Sequence, residues 1–264
     1  MIRDQLQREL NIKAVPKRIV SLVPSQTELL VALGLEENIV GITKFCVHPE
    51  HLRKSKTVVG GTKKVNFDKI RNLNPELILC NKEENTEEMV LELEKIAPVH
   101  ISEIIYFEDV LNLIEMYGNL FTCSQTATRL NLKLRKKKRD FEKEILPISR
   151  KVAYFIWREP WMVAGGDTFI NSMLKLNEWE NVFENKQGRY PEIDLEELKS
   201  LKPDLILLSS EPYPFKEKHI QELRQICDIP VELVDGEYFS WYGSRMIPAF
   251  DYFKKFQKLL FESL

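Results

Sequence analysis

NFDKIRNLNPELIL (residues 66–79) and DLEELKSLKPDLIL (residues 194–207) are two versions of one pattern at a constant offset of 128 residues. They share Leu73/Leu201, Pro75/Pro203 and a closing Leu-Ile-Leu, and acid faces acid and base faces base at several other places. Each version reads as a short helix stopped by proline and followed by a continuous apolar run. Such a run is the signature of a strand buried on both faces of a parallel sheet.

Working outward, the flanks repeat as well. RIVSLV (18–23) is an apolar strand that feeds PSQTELLVALG, where Ser25 and Glu28 have capping-box spacing and Gly34 suits the position just past a helix end. IVGITKF (39–45) is the next strand. In the second half KVAYFIW (151–157) is a strand, Asp167 is placed to cap TFINSMLKL, and NVF follows. LEENIV (35–40) is echoed by NEWENVF (177–183), and the late Pro98-Val99 by Pro230-Val231. Strand–helix alternation written twice predicts an α/β protein of two lobes, each with a parallel sheet.

A chain of 264 residues suits two cores of about 100 to 150 residues each. Hydrophobic content of 44%, charged content of 30% and a net charge of −2 exclude a basic nucleic-acid binder. Cys46, Cys80, Cys123 and Cys227 lack CxxC spacing and read as buried thiols. Between the halves, Thr122 and Gln125 form a second capping-box spacing, and the sequence then runs without Gly or Pro to Pro147, one helix of about 22 residues and ~33 Å. Its basic run at 133–139 is followed by Asp140, Glu142 and Glu144, which marks a solvated face. The expected organisation is an N-terminal lobe at 1–120, a linking helix at 121–146 and a C-terminal lobe at 147–264.

RIVSLVPSQTELLVALG, IVGITKF, the Val-Gly-Gly at 59–61, both copies of the repeated segment and the lone linking helix resemble the substrate-binding proteins of bacterial ABC importers for vitamin B12, ferric siderophores and haem. The resemblance, of the helical-backbone metal-receptor type, covers nearly the whole chain. It implies two Rossmann-like lobes joined by one long helix with a ligand cleft between them, and a metal chelate or tetrapyrrole-like ligand delivered to an importer's permease dimer. It also implies that an acid on each lobe docks on transporter arginines; the matching positions are Asp68 and Glu196. Asp68 stands where the family usually carries the longer Glu, and Glu197 neighbours the second position.

Ligands of parallel α/β lobes lie beyond the carboxyl ends of strands. That rule selects Ser25, Gln26, Phe45, His48, Asn81 and Lys82 in the first half, and Trp157, Arg158, Trp161, Tyr213, Trp241, Tyr242 and Arg245 in the second. Indole and guanidinium groups together suit a flat, anionic or corrin-like molecule. Within FCVHPEH, Cys46, His48 and His51 are metal-ligand types, but the spacing is not that of a closed zinc site, so no protein-held metal is expected. No cofactor is expected beyond a ligand that itself contains cobalt or iron.

No nucleophile elbow, phosphate-binding loop, dinucleotide fingerprint or zincin motif occurs, and catalysis is not expected. A monomer without membrane insertion is expected. The resemblance places the protein in the periplasm or another extracytoplasmic space. With no leader visible after Met1, the alternative is a cytoplasmic carrier or sensor of the same fold.

Overall fold

Leu-Ile-Leu occurs twice because each copy forms the strand beside its lobe's first strand. The computed structural model describes residues 2–145 and 148–262. It divides into two compact units, Met1–Arg135 with Tyr242–Met246, and Lys136–Trp241 with Ile247–Leu264. The first begins with β1 (Ile2–Arg3), β2 (Glu9–Leu10) and β3 (Ile19–Ser21), followed by α1 (Pro24–Ala32), β4 (Ile39–Thr43), α2 (Leu52–Ser55) and β5 (Thr57–Gly60). It continues through α3 (Phe67–Asn72), β6 (Leu77–Asn81), α4 (Glu87–Glu94), β7 (Val99–Ser102) and α5 (Phe107–Leu120). Its main sheet has the order β5-β4-β3-β6-β7 and every pairing is parallel.

The single helix α6 (Ser124–Glu144) carries the chain into the second unit. There follow β8 (Arg150–Trp157), β9 (Met162–Val163), α7 (Phe169–Leu176), β10 (Trp179–Asn181), α8 (Leu195–Leu201) and β11 (Leu205–Ser209). The unit then adds α9 (Glu217–Ile226), β12 (Val231–Val234), α10 (Gly236–Ser240) and α11 (Met246–Glu262). Strands run β10-β8-β11-β12 in parallel, with β9 antiparallel to the end of β8. The two α/β sheets linked by a long helix are the architecture expected from the repeat. The expected close of the helix at residue 146, before Pro147, lies outside the described residues.

The repeat is legible atom by atom. Asn66 and Asp194 cap α3 and α8, each accepting the backbone N–H three residues on, at 2.8 and 2.7 Å. Ile70 and Leu198, both fully buried, press each helix into its core. Asn74 (φ 46°) and Lys202 (φ 49°) then turn the chain through the left-handed region. The acids after the prolines tie down the chain at the start of the neighbouring strand, β3 or β8. Glu76 accepts the Lys17 N–H at 2.5 Å, and Asp204 accepts the Lys151 N–H at 2.7 Å. All five residues of β6 and of β11 are buried, which is why neither shows polar alternation. Burying each Leu or Ile side chain here contributes roughly 1.5–3 kcal/mol.

Several expected caps differ. Ser25 does not cap α1; Val23 is the capping residue and Pro24 sits at the first turn, where its missing N–H costs nothing. Gly34, at φ +83°, closes that helix as expected, with Gly34 N–H donating to the Val31 carbonyl and Leu35 N–H to Leu30. Asp167 does not cap α7 either, because Thr168 accepts the Asn171 N–H at 3.1 Å. Thr122 lies at φ 55° and its hydroxyl donates to the Phe121 carbonyl, so α6 starts at Ser124 without that capping box. No described helix is long and apolar enough to cross a membrane.

Candidate functional site

In the second unit, β8 and β11 end side by side and deliver aromatic residues to one place. Trp157, the last residue of β8, stays 39% exposed and meets the Tyr213 ring edge-on at 5.5 Å. Tyr213 in turn contacts Phe215 (4.8 Å) and His219 (5.5 Å). Trp161 stacks on the buried Phe215 at 6.1 Å and meets Phe155 of the core edge-on, so it is the inner layer of this aromatic cluster. Trp157, Trp161 and Tyr213 are therefore brought together, with Trp157 as the open ring.

Arg158 lies over Trp161 at 5.5 Å and is held by Glu222, with Nη2 and Nε donating at 2.7 and 3.0 Å, and by Glu159. The Glu222 hydrogen bonds hold its guanidinium above its ordinary pKa. This bidentate pair fixes the arginine as a rigid neighbour of the indole. Trp241 faces inward: it is 6% exposed and donates to Glu211 Oε1 at 2.8 Å. Burial pushes the Glu211 carboxyl up, and hydrogen bonds from Ser240 and Trp241 partly offset that shift.

In the first unit Phe45 is an open ring, 48% exposed after β4, with the Lys44 ammonium 4.9 Å from its centroid. His48 in the same loop is half-buried. Cys46 points into the core, its thiol 3.1 Å from Thr27 Oγ1 and 3.3 Å from Thr43 Oγ1, and burial raises its pKa. His51 pairs instead with Glu36 at 2.7 Å. Among the described residues no three His, Cys, Asp or Glu side chains gather to hold a metal ion. Lys82 is paired with Glu103 at 2.5 Å.

Gln26, Asn81 and Tyr242 form a group of a different kind. All are buried, and Ser25 is buried beside them at the start of α1. The Tyr242 hydroxyl accepts from Gln26 Nε2 (2.9 Å) and Asn81 Nδ2 (3.2 Å), while Tyr117 donates to Gln26 Oε1 (2.5 Å). Ser102 Oγ accepts from both amides, at 2.6 and 3.0 Å. Burial raises the pKa values of Tyr117 and Tyr242, which remain protonated. Arg245 follows Tyr242 into this unit and donates to Glu28 at 2.9 Å. Residues 242–246, read from the sequence as part of the C-terminal lobe, thus belong to the first unit because these bonds and the packing of Gly243 on Leu29 hold them there. In this arrangement the amides of Gln26 and Asn81 and the Tyr242 hydroxyl are engaged within the protein.

Tyr117 and Ser102 were not picked out from the sequence. Asn85, in the strand-end loop that begins at Asn81, had a local signal: its side chain accepts the Asn81 N–H at 2.8 Å, while Asn81 Oδ1 accepts the Glu83 N–H at 2.8 Å in an Asx turn. Glu222, 64 residues from Arg158, had none.

Asp68 and Glu196 lie in the first turns of α3 and α8 with side chains 87% and 84% exposed. Each pairs with its i+3 neighbour, Arg71 or Lys199, and such exposed pairs are worth about 0–1 kcal/mol. Glu197, by contrast, is tied to Lys186 at 2.6 Å.

Comparison with known proteins gives this geometry a context. The chain is 29% identical over 215 residues to the ABC transporter substrate-binding lipoprotein YvrC of Bacillus subtilis (strain 168), covering 78% of this chain and 68% of that one. It is 24% identical over 246 residues to a vitamin B12-binding protein of Pectobacterium carotovorum subsp. carotovorum (strain PC1), covering 89% and 86%. Among solved structures, the periplasmic heme-binding protein RhuT of Roseiflexus sp. RS-1 superposes with a TM-score of 0.79 at 19% identity, covering 91% of this chain and 97% of that one. The model of the family described as periplasmic binding protein matches residues 19–225, from β3 through most of α9. Two parallel sheets, a helical connection and that match make the chain a member of the periplasmic binding protein family.

Proposed function

We propose that this protein captures a metal chelate or tetrapyrrole-like small molecule, of the cobalamin, ferric siderophore or haem class, in an extracytoplasmic space and delivers it to an ABC importer. The observation that carries the ligand class is the open Trp157 ring at the end of β8, backed by Tyr213 and the Arg158–Glu222 pair. A flat ligand gains dispersion and hydrophobic contact from such a ring. In the first unit the exposed Phe45 ring and His48 lie in one loop after β4. The relatives named as vitamin B12-binding and heme-binding support the class; their ligands differ enough that the pocket chemistry, not the relationship, must decide among them. Asp68 and Glu196 are the proposed docking acids for the permease dimer, since both project fully from equivalent helices.

All four tryptophans, at 157, 161, 179 and 241, lie in the second unit, so their fluorescence reports on that unit. Titration with cyanocobalamin, haemin and ferrichrome should quench it saturably with one of the three. Trp157→Ala should then weaken that ligand about tenfold or more, the loss of roughly 1.4 kcal/mol of ring contact. Unchanged affinity in Trp157→Ala, or no saturable quenching with any of the three, refutes this reading.

A further inference from the structure

Away from the strand ends, the first unit has an open hollow of about 450 Å3 between its N-terminal segment and α5. Its floor includes His100 on β7, 1% exposed, whose two ring nitrogens have no hydrogen-bond partner. Its ring meets Tyr117 edge-on at 5.3 Å. Buried polar atoms without partners are rare enough in native structures to need a reason. Burial pushes the imidazole's pKa down to about 4, so the floor is uncharged at neutral pH.

Apolar walls rise from that floor. Ile12 and Met116 are half-buried, and Val15 is 39% exposed with no core to cover it. The rim is basic: Lys13 makes no ion pair among the described residues, and Arg3 has only its exposed pair with Glu9 at 3.0 Å. Asn119 uses its carbonyl oxygen to accept from Ser124, which leaves its amide nitrogen as a further donor. On the far side of Arg3 and Met116 the neighbouring hollow is acidic, with Glu103 and Glu115. An anion is therefore favoured at the Lys13 end and disfavoured beyond it.

We propose that this hollow is a second binding site, for a small amphipathic carboxylate whose apolar chain lies against Ile12, Val15 and Met116 and whose anionic head sits between Lys13 and Arg3. Its volume falls within the roughly 300–1,000 Å3 of small-molecule sites, and its lining has their character, mostly apolar with a few polar groups placed to orient the ligand. The site is separate from the aromatic cluster of the second unit and stands whether or not that cluster binds a chelate.

The chain has four histidines, so imidazole NMR resolves the site directly. Octanoate titrated into the full-length protein should shift the His100 resonances saturably and leave His219 and the tryptophan fluorescence unmoved. His100→Gln assigns the signal. Lengthening the probe from hexanoate to octanoate to decanoate should tighten binding by about fourfold per methylene. Lys13→Glu, an exposed substitution that leaves the fold intact, should weaken octanoate at least fivefold, and 1-octanol should bind more weakly than octanoate. The proposal is overturned if His100 does not respond to octanoate up to about 10 mM, if Lys13→Glu binds as tightly as the parent, or if octanol binds equally well.

Discussion

Replacing Tyr242 by Phe keeps the ring and removes one oxygen, and the hydrogen-bond geometry sets what that costs. Gln26 Nε2 loses an acceptor at 2.9 Å but keeps Ser102 Oγ at 2.6 Å and the Cys80 carbonyl at 3.3 Å, enough for its two hydrogens. Asn81 Nδ2 loses its acceptor at 3.2 Å and keeps only Ser102 Oγ at 3.0 Å, so one hydrogen is stranded in the interior. A single buried, unsatisfied donor costs about 1–3 kcal/mol, and about 1.5 kcal/mol is expected here. Removing the ring as well, in Tyr242→Ala, should cost about 3–5 kcal/mol. Native-state hydrogen exchange separates the units: amides of β3 and β6 should exchange roughly tenfold faster in Tyr242→Phe, the equivalent of ~1.4 kcal/mol. Exchange in β3 and β6 indistinguishable from the parent would refute the account, because the hydroxyl would then contribute nothing beyond the ring.

Three further outcomes follow from the geometry. His100 carries a pKa of about 4 in the folded protein against 6.5 unfolded, so the unfolded chain takes up the proton first. Stability should therefore fall as pH drops from about 6.5 to 4, by up to about 3 kcal/mol, and stay level above pH 6.5; urea midpoints for His100→Leu should show a shallower decline across that window. Asn66→Ala and Asp194→Ala remove equivalent caps and should each cost about 1 kcal/mol in urea unfolding, confined to the unit that carries the substitution. Asp68→Ala combined with Glu196→Ala should change stability by less than about 0.5 kcal/mol yet abolish importer-coupled ATP hydrolysis in proteoliposomes, while undiminished coupling would remove both residues from the docking role.

The strands were legible in the sequence because parallel strands covered on both faces carry no polar alternation, and RIVSLV, ELILC and DLILLS leave little else to be. The duplicated segment was legible for a further reason. Cap, left-handed residue, proline and strand-tying acid each impose a residue type at a fixed place, and Asn66/Asp194 through Glu76/Asp204 obey all four. The aromatic cluster was partly legible, since Trp157 and Trp161 were picked out in one loop and Tyr213 in another. Its division into an open ring and a packed one was not, because only Phe155 and Phe215 decide which indole is covered. Gln26, Asn81 and Tyr242 show the deeper limit. Amides and phenols at strand ends are written alike whether they face a ligand or each other, and burial is fixed by residues more than 100 positions away. The same holds for Arg158, whose role depends on Glu222.

The recrossing at residues 242–246 bears on how this protein can be cut. A shear in the middle of α6 would release an amino-terminal fragment lacking Tyr242, Gly243 and Arg245, with Gln26, Asn81 and Glu28 laid bare to solvent. Such a half would be an incomplete body despite its whole five-stranded sheet, and a synthetic peptide spanning 241–247 should restore what is missing. Although the gene reads as a tandem duplication, its product cannot be parted at the obvious seam, so shuffling one lobe onto another partner would need the borrowed five residues to travel with the opposite half.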